Sequence, residues 1–294
     1  KPELIITVDN GIASIEGVKK ANSYGIDVLI TDHHLPAKDL PDAKFIVNPN
    51  QATCNFPSKN LCGVGVIFYV LLSLRKELRK LNRFLNESEP ILSDLLDLVA
   101  LGTIADLVKL DFNNRILVNY GMNKIRSGNC NLGIEALAYL SKKKLKNIKT
   151  SDLSFSIAPK INAAGRLDDM AIGIKCLIAK NKNEAENYAK QLVVFNEQRK
   201  LVEHKMKDEA LAILSDCIIE DNYTITMYDI NWHQGVIGIL ASRLKEKFYR
   251  PTIIFAKDDS GFLKGSGRSI ASFHLKDALD LISKKYPDLI LTFG

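Results

Sequence analysis

The sequence predicts an α/β protein: a parallel-sheet domain with a helical portion, a long connecting helix and a smaller α/β domain. Three observations predict it. Apolar runs alternate with a helical pattern over the first 50 residues. From residue 63 to about 180, apolar positions recur at three- and four-residue spacing. A strongly charged stretch, 184–214, then lacks both Gly and Pro and is followed by renewed strand–helix alternation. The resulting division is residues 1–182, a connecting helix over 183–215, and 216–294.

Element by element, a strand over 4–9 leads to a helix over 14–24, which Gly25 stops. Strands follow at 28–32 and at 45–48, before Pro49. The apolar spacing predicts helices over 64–80, 91–107, 113–127, 132–143 and 169–180, then the amphipathic connector. The last segment reads as strand 224–228, helix 235–248, strand 252–255, helix 274–285 and strand 289–293.

Composition bounds the function classes. The 294 residues carry 40 Lys+Arg against 34 Asp+Glu, a net +6 that suits a polyanionic partner. Much of the excess is clustered, as in Lys142-Lys143-Lys144, and reads as solvated helix ends. Cys54, Cys62, Cys130, Cys176 and Cys217 form no C-x-x-C pair, so zinc-ribbon and redox motifs are unsupported and reduced thiols in a cytoplasmic protein are expected. The apolar stretch 64–74 falls short of the roughly 20 residues that span a bilayer, so no membrane association is expected. The chain opens on Lys1 almost directly into a strand and ends in an apolar run, as a piece of a longer protein would.

Carboxylates and imidazoles recur where these strands and helices end. Asp9 closes the first strand ahead of Asn10-Gly11, and Asp32-His33-His34 closes the second. Open α/β sheets keep their sites at that carboxyl edge. Asp106 ends the apolar run from Leu98, and an acid so placed needs a partner or a metal. Mixed Asp and His donors favour Mn²⁺ or Mg²⁺ over a thiolate-type zinc site, and a carboxylate such as Asp9 can bridge two ions.

Downstream, Asn162-Ala163-Ala164-Gly165-Arg166 brings small residues up to a guanidinium that can fork onto phosphate oxygens. Lys264-Gly265-Ser266-Gly267-Arg268-Ser269 reads as a small-residue loop able to form an anion nest, with Ser266 and Arg268 adding side-chain contacts. Trp232-His233-Gln234-Gly235 stands at a helix start, where phosphate is attracted; Trp232 either stacks a base there or packs the helix onto the sheet. Gly63-Val64-Gly65 reads as helix packing, and His204 as a surface residue.

Taken in order, Asp9-Asn10-Gly11, Asp32-His33-His34, Gly102-Thr103-Ile104-Ala105-Asp106, Asn162–Arg166, Trp232–Gly238 and Gly265–Ser269 resemble the motifs of the RecJ family within the DHH phosphoesterase superfamily. The Asp-His-His element marks only the superfamily; the Asn-Ala-Ala-Gly-Arg and Trp-His-Gln-Gly-Val-Ile-Gly elements narrow it. The resemblance implies a DHH domain, a connecting helix and a DHH-associated domain, with single-stranded DNA threaded between. It implies Asp9, His33 and Asp106 as ligands of a Mn²⁺ or Mg²⁺ pair, Asp9 bridging, with Asp32 and His34 supporting them. Asn162 and Arg166 would hold substrate phosphate, Arg166 as clamp at the scissile position. Ser266 and Arg268 would receive the 5′-terminal phosphate, and His233 would lie near the nucleotide path. The family's Asp-x-Asp motif would precede Lys1, so residues 1–294 alone are expected to hold an incomplete two-metal site with little nuclease activity.

Three functions follow as expectations. The first is a metal-dependent 5′→3′ exonuclease releasing mononucleotides from single-stranded DNA in repair and recombination. The second is a DHH-type hydrolase of short oligonucleotides or nucleoside bisphosphates. The third is an inactive scaffold that binds single-stranded DNA.

Overall fold

Strand formation follows the β-branched runs. β1 (Leu4–Val8), β2 (Asp27–Thr31) and β3 (Phe45–Val47) form a parallel sheet in the order β1-β2-β3. In this computed structural model, residues 1–85, 88–167, 169–215, 222–258, 261–291 and 293 are described. Val8 pairs with Thr31 and Thr31 with Val47, so the three carboxyl ends are level. Asp9, Asp32 and Asn48, the next residue of each strand, therefore leave the sheet along one edge. α1 (Ile15–Ser23) turns Val18 and Ala21 onto Ile26, Val28 and Ile30, closing a small core beneath that edge.

A helical layer follows. α2 (Gly63–Lys80) and α3 (Leu96–Ala105) bury Val66, Phe68 and Val99 in a common core with Leu117 of α4 (Phe112–Arg126). A 3₁₀ turn, Leu92–Leu95, leads into α3, so the apolar run 91–107 is two elements rather than one. α4 is capped by Asp111, whose carboxylate accepts from the Asn114 N–H at 3.0 Å. α5 (Leu132–Leu140) stops three residues short of the expected end, and Lys142 adopts a left-handed φ of 57° in the turn beyond it. A single helical turn, α6 (Thr150–Asp152), runs through a π-helical turn (Leu153–Ile157) into α7 (Ala158–Leu167); α8 (Ala171–Leu177) follows.

The connecting helix is α9 (Lys182–Ser215). Met206, Ala210 and Leu214, four residues apart, place one of its faces in a second core. The rest of that core comes from β4 (Ile225–Tyr228), α10 (Ile237–Phe248) and β5 (Thr252–Lys257), with Trp232. β4 pairs parallel to β5, which pairs antiparallel to β6 (Leu263–Arg268). α11 (Leu275–Lys285) closes the described secondary structure. Two compact units result: Lys1–Pro159 with Lys175–Ala189, and Lys160–Ile174 with the chain from Lys190 onward.

Three expectations change. The small-residue loop 264–269 is mostly strand β6, whose backbone is committed to the ladder with β5 instead of forming a nest. Its glycines serve packing: a Cβ on Gly265 would lie 2.6 Å from the Phe255 ring. Asn162–Arg166 lies within α7, so it is a helix face rather than a backbone approach to ligand. No strand forms at 289–293 among the described residues; the chain turns there, with the Leu289 N–H bonded to the Tyr286 carbonyl. Thr292 and Gly294 lie outside the described residues, as does Cys217.

Candidate metal centre and anion site

The level strand ends build the first site. Asp9 sits in the left-handed region (φ 65°) as the chain leaves β1, and its own N–H remains bonded to the Thr31 carbonyl. Asp tolerates that conformation better than most residues, because its short side chain can bond locally. Asp106 is the C-cap of α3, where the helix dipole is negative and a carboxylate favours a nearby cation. The next residue, Leu107, is also left-handed (φ 58°), at a cost of roughly 1–2 kcal/mol for a non-glycine residue. Strain thus accompanies both carboxylates.

Between them lies His33. Its Nε2 is 3.0 Å from Asp9 Oδ1 and 3.4 Å from Asp106 Oδ2. That nitrogen is buried yet has no hydrogen bond of acceptable geometry, which is the condition of a donor set arranged around an ion. Asp9, His33 and His34 each bring one ligand atom within 4.8 Å of the others. Asp106 joins them through His33. Oxygen and imidazole donors without a thiolate fit a hard or borderline divalent cation such as Mn²⁺ or Mg²⁺. The Asp9 carboxylate raises the His33 pKa above its ordinary 6.5, partly offset by burial and reinforced by Asp106. Burial raises the Asp106 carboxyl, with His33 opposing it.

Asp32 does different work. It is 1 % exposed and accepts from the N–H groups of Ile12 (2.9 Å), His33 (2.7 Å) and His34 (3.1 Å), and it contacts His34 Nδ1 at 2.7 Å. Burial pushes its pKa up, but these donors outweigh it and hold the carboxyl below its usual range. Engaging Nδ1 leaves Nε2 of His34 for the cluster, the carboxylate–histidine arrangement that orients metal ligands.

Sequence reasoning missed the supports. Asn48 donates to the His34 carbonyl (2.9 Å) and Asn50 to the His33 carbonyl (2.5 Å), clamping the Asp-His-His backbone. The signal available was Asn48-Pro49-Asn50 directly after a strand. Gly63 was read as helix packing; it faces the site. A Cβ there would overlap Asp9 Oδ1, so only glycine lets the start of α2 approach that carboxylate.

The second unit gathers the residues of a candidate anion site. Asn162 and Arg166, four apart on α7, share its outer face, while Ala163 and Ala164 are fully buried. Arg166 Nη1 donates to the Gly235 carbonyl at 3.2 Å. Gly235 must be glycine, since a Cβ would overlap the Arg166 carbonyl oxygen. Burial, with Arg199 and Arg268 nearby, lowers the Arg166 pKa below its ordinary value. Ser266 and Arg268 lie two apart on β6 and so share a face. That face meets the first turn of α10, where a Cβ on Gly238 would be 2.8 Å from Ser266 Oγ and 3.2 Å from Arg268 Nη2. α10 has at its N-cap Val236, a side chain that cannot cap, and a helix start of this kind attracts anions.

His233 Nδ1 accepts from the Gly235 N–H at 3.0 Å, leaving Nε2 for a ligand. Trp232 packs: it is 3 % exposed, and its indole N–H bonds Glu209 at 3.0 Å, so it is no stacking surface. Arg199 was not foreseen; its Nη groups contact Glu203 and Asn196.

Comparison with known proteins bears on the family and the fold. A family model described as the DHH family, N-terminal domain, matches residues 2–103, and one described as the DHHA1 domain matches 220–294. The "Single-stranded-DNA-specific exonuclease RecJ" of Haemophilus influenzae is 50 % identical over 99 % of this chain and 51 % of its own length. The Escherichia coli protein of the same name is 50 % identical, over 99 % and 52 %. The chain thus spans about half the length of these curated relatives. Among solved structures, RecJ from Thermus thermophilus in complex with Mn²⁺ superimposes with a TM-score of 0.82 at 31 % identity, covering 99 % of this chain and 41 % of that one. An exonuclease RecJ bound to manganese gives a TM-score of 0.78 at 31 % identity, covering 99 % and 68 %.

Proposed function

The chain belongs to the RecJ family of DHH proteins, and from that premise we propose that it is the catalytic part of a metal-dependent 5′→3′ exonuclease that hydrolyses single-stranded DNA to mononucleotides. The observation that carries this reading is the buried, unbonded His33 Nε2 between Asp9 and Asp106. Asp9, His33 and Asp106, with His34 alongside, would hold Mn²⁺ or Mg²⁺. When bound, the ion supplies positive charge to the substrate phosphate and lowers the pKa of the attacking water.

The chain's own groups do the rest. Asp32 fixes the His34 ring and the backbone of both histidines. Arg166 offers a guanidinium to a substrate phosphate and stabilises the charge that develops on it, with Asn162 beside it on the same helix face. Ser266 and Arg268, with the start of α10, receive a terminal 5′-phosphate, which sets the direction of digestion. His233 presents Nε2 along the nucleotide path. The cellular setting we propose is cytoplasmic DNA repair and recombination. Supporting it, Cys54, Cys62, Cys130 and Cys176 are free thiols, as in a reducing compartment.

A length series of 5′-labelled DNA, given to the full-length protein with Mn²⁺, tests the proposal. Release of mononucleotides from long single strands, with duplexes spared, is the expected result. Cleavage confined to two- to five-nucleotide substrates would favour the short-oligonucleotide hydrolase, and binding without cleavage the inactive scaffold.

A further inference from the structure

The π-helical turn Leu153–Ile157 stands out because its ends and its middle behave oppositely. Leu153 and Ile157 are fully buried, while Phe155 between them is 77 % exposed. An aromatic ring held in solvent on two buried anchors is a rigid platform, and π-helical turns concentrate at functional sites. Its neighbours fix where it stands. Ser154 Oγ donates to the Ile104 carbonyl at 3.1 Å, two residues before Asp106. On the other side Ser141 Oγ donates to the Ser156 carbonyl at 3.4 Å, and Lys143 pairs with Asp152 at 2.6 Å. The turn therefore links the end of the metal-site helix α3 to the lysine-rich segment Lys142–Lys149. In that segment Lys142, Lys144, Lys146 and Lys149 are exposed, beside Tyr139, itself 76 % exposed.

Basic side chains with interleaved exposed aromatics are the chemistry that binds single-stranded nucleic acid: bases stack on rings while ammonium groups meet phosphates. Other polyanions match the lysines, but not the aromatic platform next to a phosphodiester-cleaving centre. We propose that Phe155 stacks a nucleobase of the single-stranded DNA engaged at the metal centre, and that Lys142, Lys144 and Lys149 take phosphates of the same strand. The proposal rests on the nuclease reading and adds a binding track to it.

The test uses the full-length protein in EDTA, which stops hydrolysis, with a fluorescent single strand and a set of strands each carrying one abasic site. Phe155→Ala is expected to weaken binding about 10-fold, the scale of one base–aromatic stack. It should also erase the penalty that the wild type shows at one abasic position. Phe155→Trp should keep both. Replacing Lys142, Lys144 and Lys149 together by Ala should flatten the salt dependence by about two, at roughly 0.7 per single-strand phosphate contact.

If Phe155→Ala binds as the wild type does, with the same abasic profile, the platform is overturned while the nuclease reading stands. A lowered melting temperature with an unchanged abasic profile also overturns it, because Phe155 then packs against protein. A wild type that neither binds the strand in EDTA nor degrades it with Mn²⁺ overturns both.

Discussion

The two units collect charge by opposite routes. In the first, carboxylates and imidazoles meet because a parallel sheet delivers Asp9, Asp32 and the two histidines to one edge, and α3 ends beside them at Asp106. In the second, Arg166 and Arg268 are brought together by close approach: Gly235 admits the end of α7, and Gly238 admits β6. One cluster is rich in carboxylates, the other in guanidinium groups. Burial is the first cause of the raised Asp106 and the lowered Arg166 pKa, with Asp9 adding like charge to the one and Arg199 and Arg268 to the other.

Breaking the anionic side should have the largest effect. His33→Ala in the full-length protein should cut turnover by far more than the roughly 100-fold that loss of a supporting partner costs. A steady-state assay with Mn²⁺ checks this, and an unchanged rate would sink the metal assignment. On the cationic side, Arg166→Ala should lower kcat by about 10²- to 10³-fold, as when one charge-stabilising donor is lost. Mn²⁺ binding measured by calorimetry should stay unaltered. A Mn²⁺ affinity that fell with it would merge what the comparison separates.

Asp32→Asn sharpens the division between ligand and support. It should weaken Mn²⁺ binding about 10- to 100-fold by releasing His34 and the Ile12 loop, with the fold retained by circular dichroism. The smallest effect concerns pH. The metal-free His33 pKa is raised above 6.5, chiefly by Asp9, so below the raised value the ring keeps a proton that the metal must displace. Apparent Mn²⁺ affinity should therefore climb as pH rises through a midpoint above 6.5, with proton release visible as buffer-dependent binding heats. Without metal the sign reverses for stability: the His33–Asp9 pair helps at low pH, and its contribution is lost as pH rises through the same value. A midpoint below 6.5 in calorimetry would contradict this.

Much of the candidate site was legible because strand ends are readable. An apolar β-branched run followed by Asp9 or by Asp32-His33-His34 announces its own boundary, and the residue after a parallel strand has few places to go. Asp106 was legible for the same reason, as an acid closing an apolar helix. Asn48 and Asn50 were not, because an Asn beside Pro49 reads as a turn until the backbone it clamps is known. Gly63 was misassigned since a glycine's role is defined by the atom that fills its missing side chain, here a carboxylate distant in sequence. β6 was missed because glycines depress strand propensity, and only the Phe255 ring packed against Gly265 shows why they stand there.

By itself the sequence determined the α/β class, most of the strands and helices, the donor chemistry of the two clusters and the family resemblance, since periodicity, strand-end residues and motif spacing are local properties. Tertiary structure alone decided that His33 Nε2 lies buried and unbonded between two carboxylates, that Trp232 is core, and that Phe155 stands exposed beside the end of α3. These depend on which distant residues meet. Register and packing set such meetings, and no window of sequence contains them.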